Sequence, residues 1–181
     1  MMVNIINLMT ILRIFLALII SFLIIIGESY VIALVLFFFA GLSDYLDGFL
    51  ARKYNATSQI GEILDPIADK ILIVFIMITL SVNLSSYLLA FSSSLIISRE
   101  IWVSALRDYC SRKNIVHATK VTYLAKIKTT LQITTISLYL LGLAVSNMIL
   151  VVLGDAFLIL SVLVTLYTGY EYTINVIKSK T

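Results

Sequence analysis

Of 181 residues, 61% are hydrophobic and only 13% charged, against the roughly half and quarter usual in soluble domains. A single cysteine, Cys110, excludes a disulfide scaffold, and the apolar excess excludes a disordered chain and a soluble nucleic-acid binder. What remains is a polytopic membrane protein, and one proline with seven glycines leaves little sequence for linkers, so residues 1–181 are predicted to form one compact domain.

A helix needs about 20 apolar residues to cross the hydrocarbon core. In chain order the apolar stretches predict six such helices, over residues 9–26, 30–49, 63–81, 85–103, 129–146 and 155–174. Strands of a barrel would alternate in polarity, and the run from Leu18 to Ile26 does not. The first stretch has no Lys or Arg before Arg13 and no small-residue cleavage site after it, so a retained helix is expected rather than a removable signal peptide. Asp155 is expected to cap the outer end of the last helix, accepting orphan amide protons. Trp102 and many of the tyrosines are expected at the membrane interface, and His117 at the surface of a basic link.

The bases are one-sided. Arg52, Lys53 and Lys70 flank the link between the second and third stretches. Arg107, Arg112, Lys113, Lys120, Lys126 and Lys128 crowd the link between the fourth and fifth, and Lys178 and Lys180 follow the sixth. The other links hold no Lys or Arg. By the positive-inside bias, both termini and the two basic links face the cytoplasm, in keeping with an even number of spans. A net charge of +3 placed this way suits anionic head groups or phosphorylated substrates.

The acids are concentrated too. Five of the ten, Asp44, Asp47, Glu62, Asp65 and Asp69, fall between positions 44 and 69, where the second and third helices meet their link. Ionisable groups in or near spans are costly and usually mark a site. At about 100° per residue, Asp44, Asp47, Gly48 and Ala51 share a narrow arc with Arg52 at its edge. On the next helix Gly61, Asp65 and Asp69 recur every fourth position. A short link (residues 53–60) sets the two helices side by side, so four carboxylates converge. Such a cluster demands protons or a cation, and Arg52, Lys53 and Lys70 are the nearest partners in sequence. An all-oxygen set suits hard ions such as Mg2+ or Mn2+ rather than zinc, and two ions sharing carboxylates suit in-line displacement at phosphorus. Gly48, Gly61 and Ala51 would let a nucleotide or pyrophosphate approach the backbone, and Arg52 offers a fork for phosphate oxygens. Pro66 either opens the third helix with Asp65 as its cap or kinks a helix begun near Gly61.

The run Asp44-Tyr-Leu-Asp47-Gly48-Phe-Leu-Ala51-Arg52, eight further residues, then Gly61-Glu-Ile-Leu-Asp65-Pro-Ile-Ala-Asp69 resembles the signature of the CDP-alcohol phosphatidyltransferases. That signature, D-x2-D-G-x2-A-R-x8-G-x3-D-x3-D, is matched at every fixed position. The resemblance implies an all-α integral membrane fold of six transmembrane helices, a homodimer, and an active site that faces the cytoplasm and opens to the lipid. It implies that Asp44, Asp47 and Asp65 bind two divalent cations and that Asp69 joins the metal shell or serves as the catalytic base. It also implies that Gly48, Ala51, Arg52 and Gly61 line the CDP site.

Residues 96–107 (IISREIWVSALR), 126–132 (KIKTTLQ) and 7–13 (NLMTILR), and less specifically 168–172 (TGYEY), are similar to the bacterial branch that uses sn-glycerol 3-phosphate as acceptor. This likeness implies CDP-diacylglycerol as donor, phosphatidylglycerophosphate and CMP as products, and a bacterial inner membrane. Arg107 and Lys128, with Arg99 or Lys126, are then expected to clamp the acceptor's phosphate. The plainer readings are an ion pair of Arg99 and Glu100 with each other or with Arg13, and solvated or lipid-facing cations for Arg107, Lys126 and Lys128. Sibling enzymes using serine, inositol phosphate or phosphatidylglycerol are the nearest alternative, although the basic residues favour a phosphorylated acceptor over serine. A small cation transporter is the alternative from another class, but its acids belong near mid-membrane on discontinuous helices.

Overall fold

The computed structural model describes residues 2–26, 29–54, 59–113 and 123–178. Among these, regular structure consists of six helices: α1 (Met2–Ile26), α2 (Tyr30–Tyr54), α3 (Gln59–Asn83), α4 (Tyr87–Arg112), α5 (Tyr123–Ala144) and α6 (Met148–Lys178). All but α3 are long and apolar enough to cross a membrane, which makes this a multi-pass protein. Helix α3 matches α1 and α2 in its 25 residues but carries Asp65, Asp69 and Lys70 in its first half. His117 and Lys120 lie outside the described residues.

The helices outrun the predicted spans at the acidic end. Helix α2 continues to Tyr54, α4 to Arg112, and α5 begins at Tyr123. A hydropathy pattern stops where the apolar run stops, whereas a helix that has left the hydrocarbon keeps its ladder. At the opposite end the reversals are tight. Between α3 and α4 the amides of Ser85 and Ser86 bond back to the carbonyls of Val82 and Ser81, with Ser85 at φ 47°. Ser86 then caps α4, accepting from the Leu89 amide at 3.2 Å. The α5–α6 reversal repeats the pattern with Ser146 at φ 51° and Asn147. Asn147 Oδ1 accepts from the Ile149 amide at 2.9 Å, so it takes the capping place expected of Asp155. Asp155 instead lies inside α6 and accepts from the Tyr139 hydroxyl at 2.6 Å, tying α6 to α5. The expectation failed because the apolar run 148–153 that precedes Asp155 is itself the first part of the helix.

Two three-helix halves result. Helix α1 packs against α2 and α3, and α6 against α4 and α5; the halves join along α3–α4, α2–α5 and α3–α5. Ile20, Ile24, Phe37, Ile76, Leu80 and Leu140 form the heart of the core. Bulky side chains such as Phe15, Phe22, Phe39 and Leu163 point outward, while α4 and α6 bury Ser92, Ser93, Ser161, Thr165 and Thr168. Such inversion is expected where lipid gives no hydrophobic reward for burial and helices associate through close packing of small residues. Trp102 is half-exposed on this outer surface, its indole donating to Thr173 Oγ1 at 2.9 Å.

Candidate active site

Helices α1 and α3 lie side by side and parallel, and this places a residue of α1 at the centre of the acidic cluster. Arg13 is fully buried, and its guanidinium reaches three aspartates on two helices. Nη1 lies 3.0 Å from Asp44 Oδ1 and 2.6 Å from Asp69 Oδ1, and Nη2 lies 2.5 Å from Asp47 Oδ2. One turn earlier, Thr10 Oγ1 donates to Asp65 Oδ1 at 2.7 Å. Thr10 and Arg13 are three apart on a helix and so share a face. All four aspartates of the motif therefore converge, as the spacing predicts.

The counter-charge comes from an unexpected place. Lys70 turns away from Asp69 and donates to Ser104 Oγ on α4 at 2.5 Å, because adjacent helical residues point about 100° apart. The ammonium of Lys53 stands 5.8 Å from the Phe49 ring centroid. The side chains of Ala51 and Arg52 lie outside the described residues. A sequence signal for Arg13 does exist: it is the single charge in the first 27 residues. A lone arginine in an apolar span has to find partners on another helix.

Helix α3 begins at Gln59, so Pro66 is internal and Gly61, Asp65 and Asp69 lie on one continuous helix. Proline has no amide proton, which deprives the carbonyl four residues earlier of its helical partner. Gly61 is buried and Gly48 half-buried.

Asp47 is buried, but Asp44 and Asp69 are each 50% exposed, so the cluster opens outward on one side. Its donors are all hard oxygens, the chemistry that fits Mg2+ or Mn2+. In the present arrangement the carboxylates surround a guanidinium, and among the described residues no three acidic, His or Cys side chains stand close enough together to hold an ion.

Two cavities meet at this cluster. The first, about 560 Å3, runs between α2, α3 and α5. Arg13, Asp44 and Asp69 supply its charge, and Phe38, Leu42 and Tyr45, all half-exposed or more, form its outer wall. The second, about 260 Å3, is lined by Lys70, Glu100, Arg107 and Lys128 as well as Asp69. Asp69, Ile73, Thr129 and Gln132 belong to both.

The expected acceptor residues divide accordingly. Arg107 and Lys128 line the second cavity; Arg99 and Lys126 do not. Arg107 donates to the Tyr172 hydroxyl at 2.9 Å and lies 5.2 Å from the centroid of that ring. Glu100 Oε1 accepts from Lys128 and, at 3.0 Å, from Arg99. Glu100 thus pairs with Arg99 and Lys128, and not with Arg13. The remaining nitrogens of Arg99 donate to the Thr165 carbonyl at 3.1 Å and to Thr168 Oγ1 at 2.8 Å, which ties α4 to α6. Lys126 is exposed in the first turn of α5.

Gly169 makes room for this arginine: a Cβ there would stand 2.9 Å from Arg99 Cγ. Gly169→Leu is expected to push the guanidinium off its partners and leave a buried charge unpaired, at a cost of about 3–5 kcal/mol. Thermal unfolding in detergent should show the loss, with a smaller one for Gly169→Ala, and an unchanged melting temperature for the leucine variant would refute this packing.

Lipid-facing helices, a convergent set of carboxylates at one end, and an apolar cavity meeting a basic one describe an enzyme that joins an amphipathic substrate to a charged, water-soluble one. The chain belongs to the CDP-alcohol phosphatidyltransferase family, whose match covers residues 3–167. It is 38% identical over 140 residues to the CDP-diacylglycerol–glycerol-3-phosphate 3-phosphatidyltransferase of Rickettsia felis, covering 76% of this chain and 74% of that one. The protein of the same description from Rickettsia typhi is 36% identical over 176 residues, covering 94% and 96%. That of Salmonella choleraesuis is 31% identical over 131 residues, covering 70% and 72%. The family is generally dependent on divalent cations.

Proposed function

We propose that this enzyme transfers the phosphatidyl group of CDP-diacylglycerol to sn-glycerol 3-phosphate, giving phosphatidylglycerophosphate and CMP. The observation that carries the reading is the meeting of two unlike cavities at Asp69. The apolar one, walled by exposed aromatic and aliphatic side chains, suits a lipid donor whose acyl chains stay in the bilayer. The basic one suits a small acceptor that brings its own phosphate, held by Arg107, Lys128 and Lys70. Asp69, common to both, takes the proton of the acceptor's hydroxyl. The new O–P bond forms at the phosphorus bearing diacylglycerol, the anhydride bond breaks, and its electron pair leaves with CMP. Clamping the acceptor's phosphate aligns the hydroxyl for this in-line approach. Gly48, Ala51, Arg52 and Gly61 line the place of the CDP moiety.

Asp44, Asp47, Asp65 and Asp69 are the residues that would hold two Mg2+ or Mn2+ ions. Bound there, such ions supply charge neutralisation at the pyrophosphate and the leaving group. The whole chain acts as one domain and as a homodimer in a bacterial inner membrane, with both termini and the site on the cytoplasmic side, where the basic links lie. Transport of a cation fits less well, because α2 and α3 are unbroken and the acids sit near the ends that join them.

The test is CMP release from CDP-diacylglycerol in mixed micelles with Mg2+, offering glycerol 3-phosphate, serine, inositol phosphate and phosphatidylglycerol separately. Release is expected with glycerol 3-phosphate alone and abolished by EDTA. Release with serine or inositol phosphate, but not glycerol 3-phosphate, would overturn the choice of acceptor.

A further inference from the structure

Gln132 occupies the junction of the two cavities and has no role in the scheme above. It is 4% exposed, and its amide nitrogen Nε2 has no hydrogen-bond partner. Leaving a buried donor unpaired is costly, since its hydration has been lost with nothing in return. The neighbouring hydroxyls of α5 show how readily such a group is normally satisfied. Thr130, Thr134, Thr135 and Ser137 each donate to a carbonyl one turn back on their own helix. Gln132 lies four residues after Lys128 and three after Thr129, which places it on the face of α5 that they share. All three line the basic cavity, and Gln132 lines the apolar one as well, opposite Arg13, Asp44 and Asp69.

We propose that Gln132 binds the phosphoryl group undergoing transfer, its Nε2–H donating to a non-bridging oxygen of the lipid-linked phosphate. The assignment rests on the phosphatidyl-transfer reading above. A donor is what an anionic phosphoryl oxygen needs, and the junction is where the lipid's phosphorus and the acceptor's hydroxyl have to meet. On that reading the acceptor's own phosphate is already provided with Lys70, Arg107 and Lys128, which line the basic cavity alone. A neutral amide lining the same two cavities as Asp69 has a further merit. A second cation there would pair with the carboxylate and blunt it as a base, whereas an amide supplies a hydrogen bond and leaves the carboxylate's charge intact.

The experiment uses the full chain in mixed micelles of CDP-diacylglycerol with Mg2+ and glycerol 3-phosphate, comparing wild type with Gln132→Met and Gln132→Glu. Methionine keeps the length without the donor; glutamate keeps the shape but turns an acceptor towards the phosphate. Removal of a donor that acts in the transition state is expected to lower kcat about 100-fold. The KM for glycerol 3-phosphate should stay within about twofold and the melting temperature of the methionine variant should not fall, with glutamate the slower of the two variants. A methionine variant whose kcat is within about threefold of wild type overturns the assignment. So does a loss confined to the KM for glycerol 3-phosphate, which would place the amide on the acceptor's phosphate. A melting temperature that falls in step with activity in both variants also overturns it, by making Gln132 a packing residue. If wild type itself releases no CMP with glycerol 3-phosphate, the functional reading fails first, and that result is distinct from the other three.

Discussion

Asp69→Asn is expected to slow CMP release by at least about 1,000-fold while the bundle stays folded, the range expected when a positioned general base is removed. Among the described residues Asp69 is the one carboxylate that lines both cavities; Asp44 belongs only to the apolar one and Glu100 only to the basic one. Asparagine keeps the shape and still offers Arg13 Nη1 an oxygen to replace the 2.6 Å contact. The variant therefore separates the chemistry of the carboxylate, as base or as metal ligand, from architecture. Steady-state CMP release and thermal unfolding on one preparation make the measurement. Transfer within about tenfold of wild type would remove Asp69 as the base.

The second large effect is expected at Arg13. Arg13→Leu leaves Asp44, Asp47 and Asp69 facing one another without their shared cation, and breaking a buried ion pair by removing one partner costs about 3–5 kcal/mol. For a chain of this size that corresponds to a melting temperature lower by about 10 °C. The same substitution tests the chemistry of the cluster. If the aspartates are the ligands of divalent ions, millimolar Mg2+ or Mn2+ is expected to recover a large part of the loss, whereas Na+ of equal ionic strength should not. A variant as stable as wild type without divalent ions would show that the carboxylates do not need the guanidinium. Equal recovery by Na+ would point to screening instead of ligation.

The aspartates were legible in the sequence because two circumstances coincide. Charges are scarce in this chain, so a cluster stands out, and spacings of three and four residues translate directly into shared helix faces. That logic works within one helix or between helices joined by a short link. It does not extend to Arg13, which lies 56 residues from Asp69 and reaches it only because α1 and α3 pack in parallel. Proximity in sequence pointed to Arg52, Lys53 and Lys70 instead. Asp155 was misplaced for a related reason: an apolar run carries no mark of where a helix begins, and the start of α6 is set by Asn147 and the reversal before it. The pairing of Arg99 with Glu100 is legible in their adjacency, but that Lys128 joins it depends on how α5 meets α4, which no local pattern encodes. Gln132 closes the stretch 126–132 that carries part of the resemblance, but nothing in that stretch gives it a role. Its interest lies in an unmet hydrogen bond, a property of the folded state alone.

The apolar cavity is lined by α2 and α5, and its wall includes the exposed side chains of Phe38, Leu42 and Tyr45. A lipid entering past them never passes through water, and the product leaves by the same two-dimensional sea. Encounter is then governed by how many donor molecules share each patch of surface, not by how many are present per litre. Diluting the donor with inert lipid or detergent should slow the enzyme even at constant total donor, whereas enlarging the volume of buffer around the same micelles at a fixed acceptor concentration should not. For the acceptor, which on the proposed reading arrives through the basic cavity, ordinary molarity applies. One reaction centre thus answers to two different measures of concentration.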